Sequence, residues 1–138
     1  MSENFIIKQI SDRETWPIRQ SVMYPGFPLE HVILEKDSEG LHFGGFINEE
    51  LVSVVSLFIN NKDAQFRKLA TKEKHQKKGF GTKMINHLLE YSKKNNATKF
   101  WCNARENKAS FYHKFGLKET KKTYVNSGIN FVIMELNF

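Results

Sequence analysis

A mixed-sheet α/β domain is predicted by three features of the sequence. Short segments rich in valine and aromatic residues read as strands, one long stretch between two of them has helical spacing, and tight polar turns separate the rest. A strand, helix, strand unit implies parallel pairing, and short polar turns imply antiparallel hairpins. The expectation is a mostly antiparallel sheet of about six to seven strands with about four helices, in one domain over residues 1–138.

Phe5 to Ile10 is short and apolar, as a strand requires, and Ser11-Asp12-Arg13-Glu14 has the Ser-x-x-Glu form of a capping box. A helix is therefore expected from about Asp12 to Ser21, with Pro17 in its first turn or bending the chain. Tyr24 to Pro28 has strong turn chemistry, and Leu29 to Leu34 suits a short second helix. Leu41–Ile47 and Leu51–Phe58 form a predicted hairpin around Asn48-Glu49-Glu50, and Ala64–Thr71 is a third strand of this group. Met84, Ile85, Leu88, Leu89 and Ser92 recur on one helical face, followed by Lys93 and Lys94, which suit a helix C-terminus. Thr98–Asn103 is the next strand. Asn107 can cap a short helix over Lys108–Phe115, and Gly116 can take the left-handed residue that ends it. Leu117–Tyr124 and Ile129–Leu136 complete the pattern as a hairpin around Asn126-Ser127-Gly128.

Composition narrows the function classes. With 40% apolar and 13% aromatic residues, the chain can bury a core without metal or disulfide staples. The single cysteine, Cys102, cannot form an internal disulfide, and no segment reads as a signal peptide or a membrane span, so a soluble cytoplasmic protein is expected. Five scattered histidines give no metal-site spacing, and no metal is expected. The net charge of +6 suits an anionic partner or a solvated basic surface. Phe100 and Trp101 lie in an alternating strand, where one faces the core, and a nucleic-acid stacking platform is not expected.

The most informative stretch is His75-Gln-Lys-Lys-Gly-Phe-Gly-Thr-Lys83, set between a strand and the long helix. Amides at a helix N-terminus lack intrahelical partners and favour an anion, and Gly79 and Gly81 would let a phosphate approach the backbone. A P-loop is excluded by spacing, since Thr82 precedes Lys83 and no glycine stands at the required interval before Gly79. The dinucleotide fingerprint fails at Met84 and at Asn103, where a small and an acidic residue are needed. What remains is Gln/Arg-x-x-Gly-x-Gly/Ala, met by Gln76 to Gly81.

This pattern resembles the GNAT superfamily of acetyl-CoA-dependent N-acetyltransferases. The resemblance runs through Leu69–Leu89, and a second block, Asn107–Leu117, is similar to the family's Asn-x-x-Ala-x-x-Tyr-x-x-x-Gly-Phe segment, with Ala109 one place early and Leu117 for phenylalanine. It implies a GNAT fold and transfer of an acetyl group from acetyl-CoA to a primary amine of a small molecule or peptide, by direct attack in a ternary complex. A non-catalytic acyl-CoA-binding or regulatory module on the same fold is the alternative. In the family the pyrophosphate of coenzyme A rests on this turn, which carries over to Gln76, Lys77, Lys78, Gly79, Phe80, Gly81 and Thr82. The pantetheine arm would pair with Leu69, Ala70 and Thr71 like an added strand, and the acyl oxygen would meet an amide of Leu69 or Ala70 at a strand bulge.

By the same resemblance Tyr112 is the general acid that protonates the departing thiolate, the alternative being a core aromatic beside Phe111 and Phe115. Asn107 would contact the cofactor as well as cap its helix, and Asn103 would hold a water or the pantetheine amide. Gln65, an amide that cannot act as a base, stands where some members carry a glutamate base; Glu30, His31, His42, Glu73 and His75 are the candidate bases, with water-mediated deprotonation as the alternative. The acceptor pocket of the family falls on Trp16–Glu35 and Lys118–Asn130, which carry no motif naming the amine; a homodimer is left open.

Overall fold

The computed structural model describes residues 4–138. Seven strands form one sheet: β1 (Phe5–Ile10), β2 (Leu41–Ile47), β3 (Glu50–Asn60), β4 (Asp63–Thr71), β5 (Lys99–Arg105), β6 (Lys118–Asn126) and β7 (Ile129–Asn137), in the order β1-β2-β3-β4-β5-β7-β6. Three α-helices accompany it: α1 (Asp12–Ile18), α2 (Phe80–Lys94) and α3 (Ala109–His113). Every pairing is antiparallel except β4 with β5, the two strands joined through α2. Tight turns set the hairpins: Asn48 and Glu49 (φ +49° and +70°), and Ser127 and Gly128 (φ +53° and +77°), have the two left-handed residues that match strand twist.

The predicted elements appear with adjusted ends. Ser11 closes its capping box, accepting from the Glu14 amide at 3.3 Å while its own amide donates to Glu14 Oε1 at 2.9 Å. The helix expected to run to Ser21 ends at Ile18 and continues as one π-helical turn, Arg19–Met23. Pro17 lies inside α1, where it has no N–H to donate to the Arg13 carbonyl. The second helix expected at Leu29–Leu34 is a single 3-10 turn, Leu29–Val32. Near Asn107 the expectation also changes: Glu106–Lys108 is a 3-10 turn, Lys108 is the N-cap of α3, and no side chain caps that helix. Gly116 does take the left-handed conformation, at φ +93°.

Two layers of packing result. On one face α2 and α3 cover Phe43, Val55, Leu57, Phe66, Phe100, Val132 and Met134, with Met84, Ile85 and Leu88 supplying the α2 side. On the other face the 12–39 segment covers β2 to β4, with Ile18 against Val54 and Ala70. Gly45 on β2 lets Phe5 lie flat, because a Cβ there would stand 2.1 Å from the Phe5 ring. Phe5 then stacks on Phe80 at 4.4 Å, which pins the first turn of α2 to the sheet.

A buried polar network ties the 12–39 segment down. Arg19 and Asp37 have side chains only 0% and 3% exposed and form a two-pronged ion pair at 2.8 and 2.9 Å. Arg19 also donates to the Val32 carbonyl at 3.0 Å and to Ser56 Oγ at 2.9 Å, while the Leu34 amide and the Trp16 indole donate to Asp37. An arginine can only donate and a carbonyl can only accept, so the directions are fixed. Ser56 Oγ–H donates to His42 Nδ1 at 2.7 Å, and His42 Nε2–H donates to the Asp37 carbonyl at 2.8 Å. Burial pushes the Asp37 carboxyl upward, but the Arg19 and Leu34 hydrogen bonds, the Arg19 charge and the Trp16 bond together hold it below the usual range.

Removing one partner of such a pair strands a buried charge, so Asp37→Ala should cost about 3–5 kcal/mol, read as a lower denaturant midpoint at unchanged slope. A loss below about 1 kcal/mol would contradict a buried pair. Because the folded carboxyl titrates lower than the unfolded one, its contribution is complete above the unfolded value of 3.8 and fades as pH falls through the folded value. Asp37→Asn should flatten the acid limb of stability in that window.

Candidate active site

The β4–β5 ladder is short. Asp63, Ala64 and Gln65 pair with Lys99, Phe100 and Trp101, and the two strands then part, although β4 continues to Thr71 and β5 to Arg105. A bulge in β4 lies within the parted stretch. Val54 pairs with Ala70 and Ser56 with Arg67, so β4 carries one residue more than β3 between these rungs, and Lys68 is left-handed at φ +59°. Phe66 to Thr71 thus offer an edge with backbone groups that β5 does not pair, facing a cleft between two parallel strands. Leu69, Ala70 and Thr71 all lie on this edge.

At its end the strand passes into the turn. Lys77 and Gly79 are left-handed, at φ +64° and +85°, whereas Lys78 between them has no positive φ. Alternation in the sign of φ can curl successive amides toward one point, as in an anion-binding nest. The nest leads into the N-terminus of α2, with Gly79 as its N-cap. Among the described residues, the amides of Lys77, Gly79, Phe80, Gly81 and Thr82 have no hydrogen-bond acceptor, while that of Lys83 donates to the Gly79 carbonyl at 3.2 Å. Gln76 is placed differently from its neighbours: its amide donates to Glu73 O, and its side chain donates to Thr71 O at 2.8 Å, fastening the turn to β4. Phe80 turns inward and is buried.

The two glycines have different roles. A Cβ on Gly79 would meet nothing within 4 Å, so its left-handed φ is what requires glycine. A Cβ on Gly81 would stand 3.6 Å from Leu69 Cδ2 and 3.8 Å from Phe111 Cζ, which is ordinary contact. Gly81 therefore marks where β4, the first turn of α2 and α3 converge.

Tyr112 reaches the same cleft from α3. Its ring lies 5.6 Å from that of Phe66, the first β4 residue beyond the ladder, with Cys102 and Arg105 of β5 as electrostatic neighbours. Burial, with a smaller contribution from Cys102, pushes the Tyr112 phenol above its usual value, and Arg105 opposes the shift. The Cys102 thiol is buried and pushed up to about 12, which leaves it no nucleophilic thiolate at neutral pH. Asn103 is exposed and, by strand alternation, shares a side of β5 with Trp101 rather than with Cys102. Asn107 lies beyond the strand end, where it lines a cleft of about 430 Å³ with Arg105, Glu106 and the Gly128–Asn130 turn.

The candidate bases separate. His42 is buried with both ring nitrogens engaged, Glu73 and His75 sit in a 3-10 turn before the nest, and Glu30 and His31 are exposed in the 3-10 turn Leu29–Val32. Sequence reasoning missed Lys68, whose ammonium donates to the Tyr24 hydroxyl at 2.6 Å. The signal was absent, because a lysine in a left-handed bulge has no composition cue. No group of three or more His, Cys, Asp or Glu that could hold a metal occurs among the described residues.

Gly79→Ala should destabilise the free protein by about 1–2 kcal/mol through its left-handed backbone, and Gly79→Asn should recover part of that. Gly81→Ala should leave stability within about 0.5 kcal/mol, because its Cβ meets only ordinary contacts. Equal losses at both glycines would contradict this assignment.

Similar proteins share this architecture. The sequence matches the family described as Acetyltransferase (GNAT) domain over residues 18–138. A relative from Bacillus subtilis (strain 168), described as uncharacterized N-acetyltransferase YitI, is 28% identical over 138 residues, covering 93% of each chain. A GNAT family acetyltransferase from Elizabethkingia anophelis, solved with acetyl-CoA bound, superposes with a TM-score of 0.80 at 13% identity over 99% of this chain and 100% of that one. A Bacillus subtilis acetyltransferase solved with CoA gives 0.75 at 18% identity over 99% of both chains. These two structures share the fold, and the family match assigns the reaction class: the chain belongs to the GNAT acetyltransferase family and is an acyltransferase.

Proposed function

We propose that this acyltransferase takes its acyl group from acetyl-CoA and delivers it to a primary amine by direct attack in a ternary complex. The observation that carries the reading is continuity: the unpaired edge of β4 runs into the nest at Lys77–Gly79, and the Tyr112 ring lies beside the same cleft. One elongated ligand with a diphosphate at one end and amide groups along its arm fits both features. Structural neighbours that carry acetyl-CoA or CoA on this fold support that choice of donor.

In this reading the amides of Phe80, Gly81 and Thr82 and the nest amides bind the pyrophosphate, aided by the α2 dipole and by Lys77, Lys78 and Lys83. Leu69, Ala70 and Thr71 offer strand hydrogen bonds to the pantetheine arm, and Asn103 and Asn107 belong to the outer contacts of the same ligand. An amide at the Leu69–Ala70 bulge faces the acyl oxygen. As the amine nitrogen bonds to the acyl carbon the carbon–sulfur bond breaks, Tyr112 supplies the proton that the departing sulfur needs, and the proton lost from the nitrogen passes to solvent water, which reprotonates the phenol. A phenol held above its ordinary value by burial keeps that proton throughout the neutral range. An amine near pKa 10.4 costs about 4 kcal/mol to deprotonate at pH 7, so the site must also lower that cost.

Acetyl-CoA should raise the melting temperature well above the effect of ATP or NAD at equal concentration, and equal shifts would sink the donor assignment. Tyr112→Phe should lower kcat by about 10²-fold while the acetyl-CoA Kd changes less than about twofold. Because the Tyr112 phenol is shifted upward, the wild-type rate should show no loss from its ionisation up to about pH 10. An unchanged kcat in Tyr112→Phe would return this ring to a packing role.

A further inference from the structure

We propose that the acceptor carries an anionic group, a carboxylate or a phosphate, which Arg67 and Lys68 bind beside the β4 bulge. The inference rests on the acetyl-transfer reading and names the substrate class that the site selects.

Both cations lie on the side of the sheet opposite Tyr112. Arg67 sits 6.0 Å from the Phe58 ring, and Phe58 in turn meets His42, a member of the Arg19–Asp37 network beneath the 12–39 segment. Lys68 reaches Tyr24 at the end of the π-helical turn, donating to its hydroxyl and lying 5.0 Å from its ring centre. The bulge puts these consecutive residues next to Leu69 and Ala70, where the acyl carbon is placed in the reading above. An acceptor must approach that carbon from a side the donor leaves open.

Neither cation has a carboxylate partner among the described residues. Asp37 is committed to Arg19 and Glu135 to Lys99, and Glu30 and Glu35, both exposed, pair with neither. Both residues are half-buried, and two adjacent positive charges without a carboxylate partner make a patch of positive potential that an anionic ligand complements. Arginine's planar fork matches carboxylate and phosphate oxygens.

The surroundings fit a small organic anion. Tyr24, Phe27 and His31 form an aromatic cluster, with Phe27 stacked on His31 at 4.4 Å and 49% exposed. From the other direction Tyr124, stacked on Phe131 at 5.1 Å, lies within the field of Arg67. Among the described residues, the ionisable groups that these contacts bring to the space are Arg67, Lys68, Tyr24, His31 and Tyr124, with no carboxylate in contact. A wall of this sign disfavours an ammonium and favours the neutral amine that attack requires. That offsets the lack of a carboxylate at Gln65, on the same side of β4 as Arg67.

The test uses the full chain with acetyl-CoA, following thiol release with four acceptors of matched length: an aminoalkyl carboxylate, an aminoalkyl phosphate, the carboxamide of the first, and a diamine. One of the anionic amines should exceed the amide and the diamine in kcat/KM by about tenfold or more, and the comparison between them tells carboxylate from phosphate. Arg67→Gln and Lys68→Gln should each shrink that ratio, mainly through KM, and Arg67→Lys should retain most of it; an acetyl-CoA melting shift shows each variant folded. An amide or diamine used as well as the anions, or a preference that survives both substitutions, overturns the proposal. If no amine is acetylated, calorimetry with acetyl-CoA present separates the two readings. Binding of the anionic amines but not the amide, lost in Arg67→Gln, keeps the anion site and removes amine transfer, whereas binding without discrimination removes the anion site.

Discussion

Three residue pairs join β4 to β5, and the separation that follows them is the constraint on which the rest of the site depends. Parallel strands linked through a helix have no local turn to hold them together, so their separation is set by what packs on each face. On one face Phe66, Phe100 and Tyr112 wedge between the strands and α3, with Phe66 and Phe100 stacked at 4.9 Å. On the other, the bulge at Lys68 turns β4 toward the 12–39 segment. A sheet that parts in its middle exposes two edges that a protein ordinarily protects. Here they face one another across a cleft, where a ligand arm can pair with them and other chains have little access.

The two faces divide the work. The α2–α3 side holds the glycine turn and the phenol of Tyr112, and its geometry is fixed by a large apolar core. The 12–39 side rests on the Arg19–Asp37 network, which joins three elements without regular pairing between them. Such a pair contributes little against an apolar replacement of the same shape, but it admits one arrangement of the groups around it. It sets the π-helical turn, and so Tyr24, at a defined position over Lys68. In the proposed reading, donor and acceptor meet at the bulge from opposite faces of the sheet.

Most of the fold could be read from local signals. The α2 face, the Ser11 capping box, the paired turn residues at Asn48-Glu49 and Ser127-Gly128, and the left-handed Gly116 all arise from interactions within a few residues, which is why periodicity and turn chemistry find them. The glycine turn is legible as well, through its two glycines and the helix that follows. The left-handed φ of Gly79 adds a backbone reason for glycine there, and the second left-handed residue is Lys77, which no propensity marks. What stayed hidden depends on distant partners. Arg19 has no local signal for its pairing with Asp37, Asn107 reads as a cap until the chain makes a 3-10 turn first, and the Lys68 bulge exists only in register with β3. The same dependence leaves the proposed acceptor surface without a sequence motif.

Backbone hydrogen exchange with and without acetyl-CoA tests the central claim most directly, because it reads the amides themselves. If the cleft and nest hold one ligand, acetyl-CoA should slow exchange at the amides of the parted β4 edge and at Gly79 to Thr82 together, leaving the β2–β3 ladder as it was. Protection confined to the turn would leave the parted strands without a role. Protection at neither would contradict the account altogether.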